Sequence, residues 1–381
     1  MRFLHTSDWH VGKVLKGVPR IDEQRAVLAE ITELAAQRDT DVVVVAGDLF
    51  ETAVPSPEAM EVVLSTLLNL RATGAEVIVI GGNHDNGHML DALSPLAEAA
   101  GVHVLGRIRP TAQANVIDVS AGGETAKIGC LPFVSQRFVI RAGELMGQDA
   151  AENAGQYAER YAALTSLVAK DFGPDTINMI VAHCMVRGGV LGGGERDAQT
   201  IEDYWVDASC FSAAAQYVAL GHLHRTQQLP GAAPIWYSGS PIQIDFGEGG
   251  DTKHVLSVDI APGKPARVEE VPLHKVRTLR TIEGTLPELE ALAANAGDDL
   301  LRVIVREPAR AGLAAQVREL LPNAIDVRLD RSDDAGRPRA RRRGRTPHEL
   351  FAAYMGETDV VDERVERLFA SLLDEVVGGG S

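Results

Sequence analysis

Apolar, β-branched runs punctuate the first half of the chain, and each gives way abruptly to polar residues. Residues 1–6 (MRFLHT), 41–46 (DVVVVA), 76–80 (EVIVI), 177–182 (INMIVA) and 216–220 (QYVAL) read as buried strands. Between the first three lie 21–38 and 57–73, where apolar positions recur every three or four residues, the period of an amphipathic helix. Strand and helix in alternation predict an α/β layer. From about 217 to 272 the pattern changes to strands separated by Gly/Pro turns, as in GAAPIWYSGSP and KHVLSVDIAPG, which predicts a second, more antiparallel sheet.

The pattern changes again near residue 273. VRTLRTIEG, LLRVIVRE and AIDVRLD read as strands, with helical periodicity over 286–296 and 311–321, so a small β-α-β-α-β unit is expected at 273–331. RSDDAGRPRARRRGR then reads as a basic linker, 332–345. Two amphipathic helices follow within 346–377. One carries Leu350, Phe351, Tyr354 and Met355 on a stripe; the other carries Val361, Val365, Leu368, Phe369, Leu372 and Val376. Residues 1–272 form the remaining, larger domain.

Composition narrows the class without naming a function. With 381 residues, 45% hydrophobic and 24% charged, the chain is an ordinary globular one with material for two or three domains. No apolar run is long enough for a membrane span, and the N-terminus reads as a strand and not as a signal peptide. Cys130, Cys184 and Cys210 are odd in number and scattered, which fits a reducing, cytoplasmic setting. The net charge of −16 argues against a chain that holds nucleic acid unaided. The basic exception is 337–345, with six arginines in nine positions; residues 346–381 then carry eight acidic and two basic side chains.

The chemistry lies where the strands run out. SDWH (7–10) follows the first apolar run, GDLF (47–50) the second and GGNHDN (81–86) the third, while VAHC (181–184) and GHLH (221–224) close the last two. In α/β sheets, ligands bind outside the carboxyl ends of the strands, so five strand ends can converge on one place. Asp8, His10, Asp48, Asn83, His183, His222 and His224 offer oxygen and imidazole nitrogen and no sulfur, a set that suits two adjacent Mn²⁺, Fe²⁺ or Zn²⁺ ions. Asp48, lying between the two motif groups, is the natural bridging carboxylate, one oxygen to each ion. If the backbone stays extended, Asp8/His10 and His222/His224 point the same way. Two such ions activate a water for attack on phosphorus. His84 is then placed to protonate the leaving group, with Asp85 orienting its ring.

The order D-x-H, G-D, G-N-H-D, H, G-H-x-H, across residues 1–245, resembles the calcineurin-like metallophosphoesterase superfamily. MRFLHTSDWHVGK, AGDLFETAVPSPEA and YVALGHLHRTQ with IWYSGSPIQIDFGE are similar to the SbcD family, the nuclease subunits of bacterial SbcCD complexes. The resemblance implies a two-sheet metallophosphoesterase sandwich flanked by helices, with a small α+β capping domain and C-terminal helices. It implies one metal on Asp8, His10, Asp48 and His224 and another on Asp48, Asn83, His183 and His222, with Mn²⁺ expected and His84 as the catalytic, non-ligand histidine. It further implies 3′-to-5′ exonuclease action on double-stranded DNA, endonuclease action on single strands and hairpins, and a dimer within a heterotetramer. The partner would be an SbcC-type coiled-coil ATPase, docked through 346–377. Archaeal relatives carry a histidine three positions after the bridging aspartate; here that position is Glu51, to which no catalytic role is assigned. Two other readings share parts of the pattern: a phosphodiesterase for small molecules such as cyclic nucleotides, which needs no residues beyond 273, and a non-catalytic scaffold, which has no need of a full ligand set.

Overall fold

Two six-stranded sheets lie face to face with helices packed outside them. The computed structural model describes residues 1–134, 150–193, 195, 205–293 and 297–330, and beyond these Phe351, Met355, Arg364, Val365, Leu368 and Phe369. Across the first sheet the order is Arg267–Pro272, His254–Asp259, Arg2–Thr6, Val42–Val45, Glu76–Ile80, Val102–Leu105; across the second it is Gln227–Leu229, Ile235–Tyr237, Tyr217–Gly221, Ile177–His183, Glu124–Leu131, Val116–Ala121. In each sheet four adjacent strands pair in parallel, and the remaining two join through antiparallel ladders.

Strand alternation explains the layering. Val42 and Val44 face the other sheet, in a core shared with Ile78, Ile80, Met179, Val181 and Ala219. Val43 and Val45 face outward, against Val27, Leu28 and Ile31 of helix Ile21–Gln37 and Val62, Val63 and Leu70 of helix Pro57–Ala72. All four valines are fully buried, each contributing about 1.5–3 kcal/mol. The second sheet turns its outer face to Tyr157, Tyr161 and Val168 of helix Ala150–Val168. Helix Pro57–Ala72 starts where its sequence says it should: the Ser56 hydroxyl accepts the Ala59 N–H and proline occupies the first turn.

The expected antiparallel second sheet over 217–272 does not form as one unit. Tyr217–Gly221 pairs in parallel with Ile177–His183 and Ile235–Tyr237, whereas His254–Asp259 crosses back and pairs antiparallel with Arg2–Thr6 of the first sheet. Turn spacing reveals strands but not their partners, and the apolar, fully buried Val255, Leu256 and Val258 are drawn to a position beside the first strand. Helix Gly87–Ala99 and strand Val102–Leu105 also lie outside the sequence expectation.

Strands Leu279–Gly284, Leu300–Val305 and Ala324–Leu329 form a parallel three-stranded sheet, with helices Leu286–Ala293 and Leu313–Leu320 packed on it through Leu289, Leu313 and Val317. This sheet belongs to the same compact unit, Met1–Leu329, as the two larger ones. Leu279 and Leu300 bury against Leu15 and Phe246, Arg302 lies over the Phe246 ring at 4.2 Å, and the Gln243 amide oxygen accepts the Leu279 N–H at 2.6 Å.

Residues 330–381 form the second unit. The 332–345 linker and nearly all of 346–377 lie outside the described residues. Within that unit the Phe351 and Phe369 rings stack at 3.9 Å, Met355 is buried, and Leu368 is 58% exposed. No helix among the described residues is long and apolar enough to cross a membrane.

Candidate metal centre

The parallel strands of both sheets end on one side, and their loops meet there. Asp8 follows strand Arg2–Thr6, Asp48 follows Val42–Val45, Asn83 and His84 follow Glu76–Ile80, His183 ends its own strand, and His222 and His224 follow Tyr217–Gly221. Hydrogen bonds tie the sheets together at this edge. The His222 N–H donates to the Asp8 carboxylate, at 3.0 and 3.1 Å, and the His183 ring pairs through Nδ1 with the Ala46 carbonyl at 2.7 Å. The close approach needs glycine: a Cβ on Gly221 would overlap the Ala46 carbonyl, and one on Gly82 the Asp48 carboxylate.

The backbone bends sharply to bring these side chains in. Six non-glycine residues among those described have positive φ, and four of them are Asp8 (52°), His10 (46°), Asp48 (53°) and His222 (109°). Such conformations cost about 1–3 kcal/mol each and collect at functional sites. They also overturn the expectation of extended i, i+2 pairs. Asp8 and His10 converge by left-handed turns, and His222 and His224 separate, the first grouping with Asp48 and His183, the second with Asp8 and His10.

In these groups one donor atom per residue lies within 4.8 Å of the others; a third group joins His84 to His10 and Asp48. Asn83 Oδ1 sits 2.8 Å from His183 Nε2 and 2.7 Å from His222 Nδ1, which itself is 3.2 Å from His183 Nε2. Asp48 Oδ2 stands between the halves, 3.6 Å from His10 Nε2 and 3.5 Å from His183 Nε2, while Oδ1 accepts the His84 N–H at 2.7 Å. The seven ligand candidates thus share one space, with a single Asp48 oxygen, and not one oxygen each, facing both halves.

This set fits divalent cations. Neighbouring ligands around an octahedral ion with bonds of about 2.1 Å lie about 3 Å apart, the separation of the Asn83, His183 and His222 donors. His10 Nε2 is buried with no hydrogen-bond partner among the described residues, while its Nδ1 is held by Glu51 Oε2 at 3.0 Å. Asp8 and Asp48 are buried side by side. Burial pushes the Asp8 carboxyl up; Asp48 is pushed up likewise, but His183, His84 and His10 outweigh that and hold it well below the usual range. Burial and the neighbouring His183 push the His222 imidazole well down, suited to a neutral nitrogen donor. Two close buried carboxylates among imidazoles call for positive charge.

The calcineurin-like phosphoesterase family matches residues 1–226. The SbcD subunit of nuclease SbcCD from Bacillus subtilis is 36% identical, covering 73% of this chain and 71% of that protein. The chain belongs to the SbcD family. SbcD subunits of Rhodobacter capsulatus (34% identical, 77% of this chain, 75% of theirs) and Escherichia coli K12 (29%, 76% and 73%) agree. A second family, described as the type 5 capsule protein repressor C-terminal domain, matches residues 275–358. The fold is the mixed α/β one of the calcineurin-like phosphoesterase family.

In this SbcD chain, Asp85 acts differently from expectation. Its carboxylate accepts the N–H groups of Leu49 (3.2 Å), Phe50 (3.0 Å) and Gly82 (2.9 Å), locking the two loops together. Burial and the Asp48 charge push it up to about 6 against those bonds. The His84 ring is held instead through Nδ1 by the Glu51 carbonyl at 2.8 Å. Sequence reasoning left Glu51 unassigned and passed over Glu248 and Lys253, which lie buried beside His224. Glu248 closes IDFGE, the end of a stretch carrying the resemblance, and Lys253 lies five positions beyond it.

Proposed function

We propose that this chain is the metal-dependent nuclease subunit of an SbcCD-type DNA repair complex. The observation that carries the reading is Asp48 Oδ2 poised between two donor groups from both sheets. Asp8, His10, Asp48 and His224 would hold one divalent cation, and Asp48, Asn83, His183 and His222 the other, with Mn²⁺ the expected ion. Bound there, the pair supplies a water activated at neutral pH and neutralises charge on the phosphodiester.

The chain's own residues do the rest. Asp48 Oδ1 holds the His84 N–H, and the Glu51 carbonyl takes the Nδ1 proton, so His84 works through Nε2. In the protonated ring that nitrogen donates to the departing oxygen. Asp85 keeps the 47–50 and 82–85 loops in register. The substrate would be DNA, degraded 3′ to 5′ from double-stranded ends and cut internally in single strands and hairpins. Partnership with a coiled-coil ATPase in the cytoplasm, as a dimer within a heterotetramer, would supply the DNA-holding surface that a chain of net charge −16 lacks.

Purified full-length chain incubated with Mn²⁺ and end-labelled linear duplex tests this. Degradation from the 3′ ends, abolished by chelation and by Asp48→Ala, is the expected result. Hydrolysis confined to small phosphodiesters would overturn it, and co-purification of a coiled-coil ATPase checks the partner.

A further inference from the structure

The two halves of the centre are backed differently. Behind His10, Glu51 Oε2 meets Nδ1 at 3.0 Å, and Lys13 steadies the other Glu51 oxygen at 2.9 Å. Behind His224, Glu248 Oε1 stands 3.4 Å from Nδ1. Glu248 is fully buried and paired with the equally buried Lys253, whose Nζ donates to Glu248 Oε2 at 2.5 Å, to the His224 carbonyl at 2.9 Å and to Ser240 Oγ at 3.1 Å. A buried ion pair is a poor source of stability. It reaches His224 at both ends: Glu248 Oε1 stands at ion-pair distance from ring Nδ1, neither atom having a hydrogen-bond partner among the described residues, and Lys253 donates to the carbonyl.

Nothing equivalent stands behind the other half. His183 Nδ1 meets only the Ala46 carbonyl, His222 Nε2 is buried without a hydrogen-bond partner among the described residues, and Asn83 contributes a neutral amide. Among the described residues, no carboxylate lies within ion-pair reach of either of those outward-facing nitrogens.

Resting on the metal-centre reading above, we infer that Glu51 and Glu248 are positioning residues: they fix the His10 and His224 rings so that the half built from Asp8, His10, Asp48 and His224 takes its cation more tightly than the half containing Asn83, His183 and His222. A carboxylate behind a ligating imidazole sets its tautomer and raises its basicity, and removing one costs about 10- to 100-fold in metal affinity. Asp8 adds an anionic ligand to the same half, where the other has Asn83.

The test is Mn²⁺ titration of the full chain, read by calorimetry and by the paramagnetic resonance signal of unbound Mn²⁺. Two unequal affinities are expected, with His183→Ala removing the weaker. Glu51→Gln and Glu248→Gln should each weaken the tighter by about 10- to 100-fold and leave the weaker unchanged. Because Glu248→Gln strands Lys253, the double variant Glu248→Gln/Lys253→Met, which buries no charge, must show the same weakening while keeping the wild-type circular dichroism in chelator. Equal affinities in the wild type, or variants that weaken both affinities or neither, would overturn the inference. A wild-type chain that binds no Mn²⁺ would instead sink the metal-centre reading itself.

Discussion

The Asp48 carboxylate accepts the backbone N–H of His84 at 2.7 Å. One oxygen thus fixes the loop that carries the proposed acid, while the other faces both donor groups. Asp48→Asn keeps an oxygen for the His84 N–H and loses the charge; Asp48→Ala loses both. Each should lower duplex degradation by about a thousandfold or more, equivalent to about 4 kcal/mol of transition-state stabilisation. Single-turnover assays at saturating Mn²⁺ check this, and near-wild-type rates for Asp48→Asn would remove the bridging role.

His84 contributes a proton and not a ligand in this reading. His84→Gln should therefore reduce turnover by about 10²- to 10⁴-fold while the number of bound Mn²⁺ ions stays the same. Calorimetry alongside kinetics separates the two roles; loss of one ion would make His84 a ligand.

Chelation should soften the fold as well as stop the reaction. A ligand at 100 times its dissociation constant stabilises the native state by about 2.7 kcal/mol. Thermal unfolding with and without excess Mn²⁺ should show a higher midpoint with the ion, and the gain should shrink in His183→Ala.

Gly82→Ala tests the packing of the loops. The new methyl would overlap the Asp48 carboxylate and backbone N, neither of which can move without disturbing the centre. Overpacking of this kind costs about 1–3 kcal/mol, measurable by urea titration, and activity should fall with it.

His5 sets a pH dependence away from the centre. It is fully buried, with Nδ1 3.0 Å from the Tyr217 hydroxyl and Nε2 3.1 Å from the Leu220 carbonyl, and burial pushes its imidazole down to about 3. The unfolded chain binds that proton near 6.5, so stability is full above that pH and falls as pH drops toward about 3. The slope approaches about 1.4 kcal/mol per pH unit in between. Urea titrations from pH 7 to pH 4 in chelator should show this loss, and His5→Asn should flatten it; an unchanged slope would clear His5 of the effect.

Much of this was legible in the residues themselves. DVVVVA and EVIVI could only be buried strands, and GDLF and GNHDN stand at their ends because a polar cluster cannot continue into a sheet core. Asp8, His10, Asp48, Asn83, His183, His222 and His224 were named from motif order alone, and all seven lie in one space. The registers were not legible. Nothing local in KHVLSVDIAPG says that it returns to pair with Arg2–Thr6, since strand partners are chosen by which faces remain to be buried.

The sequence by itself determined the strand-end motifs, the donor chemistry and the family, because these depend on residue type and order. The resemblance implied how the donors divide, and only the tertiary structure shows what divides them. Left-handed turns at Asp8, His10, Asp48 and His222 send His222 and His224 to opposite halves, and Glu51 and Glu248 come to lie behind His10 and His224 from 41 and 24 positions away in the chain. Those outcomes follow from long-range packing and backbone strain, which no window of sequence contains.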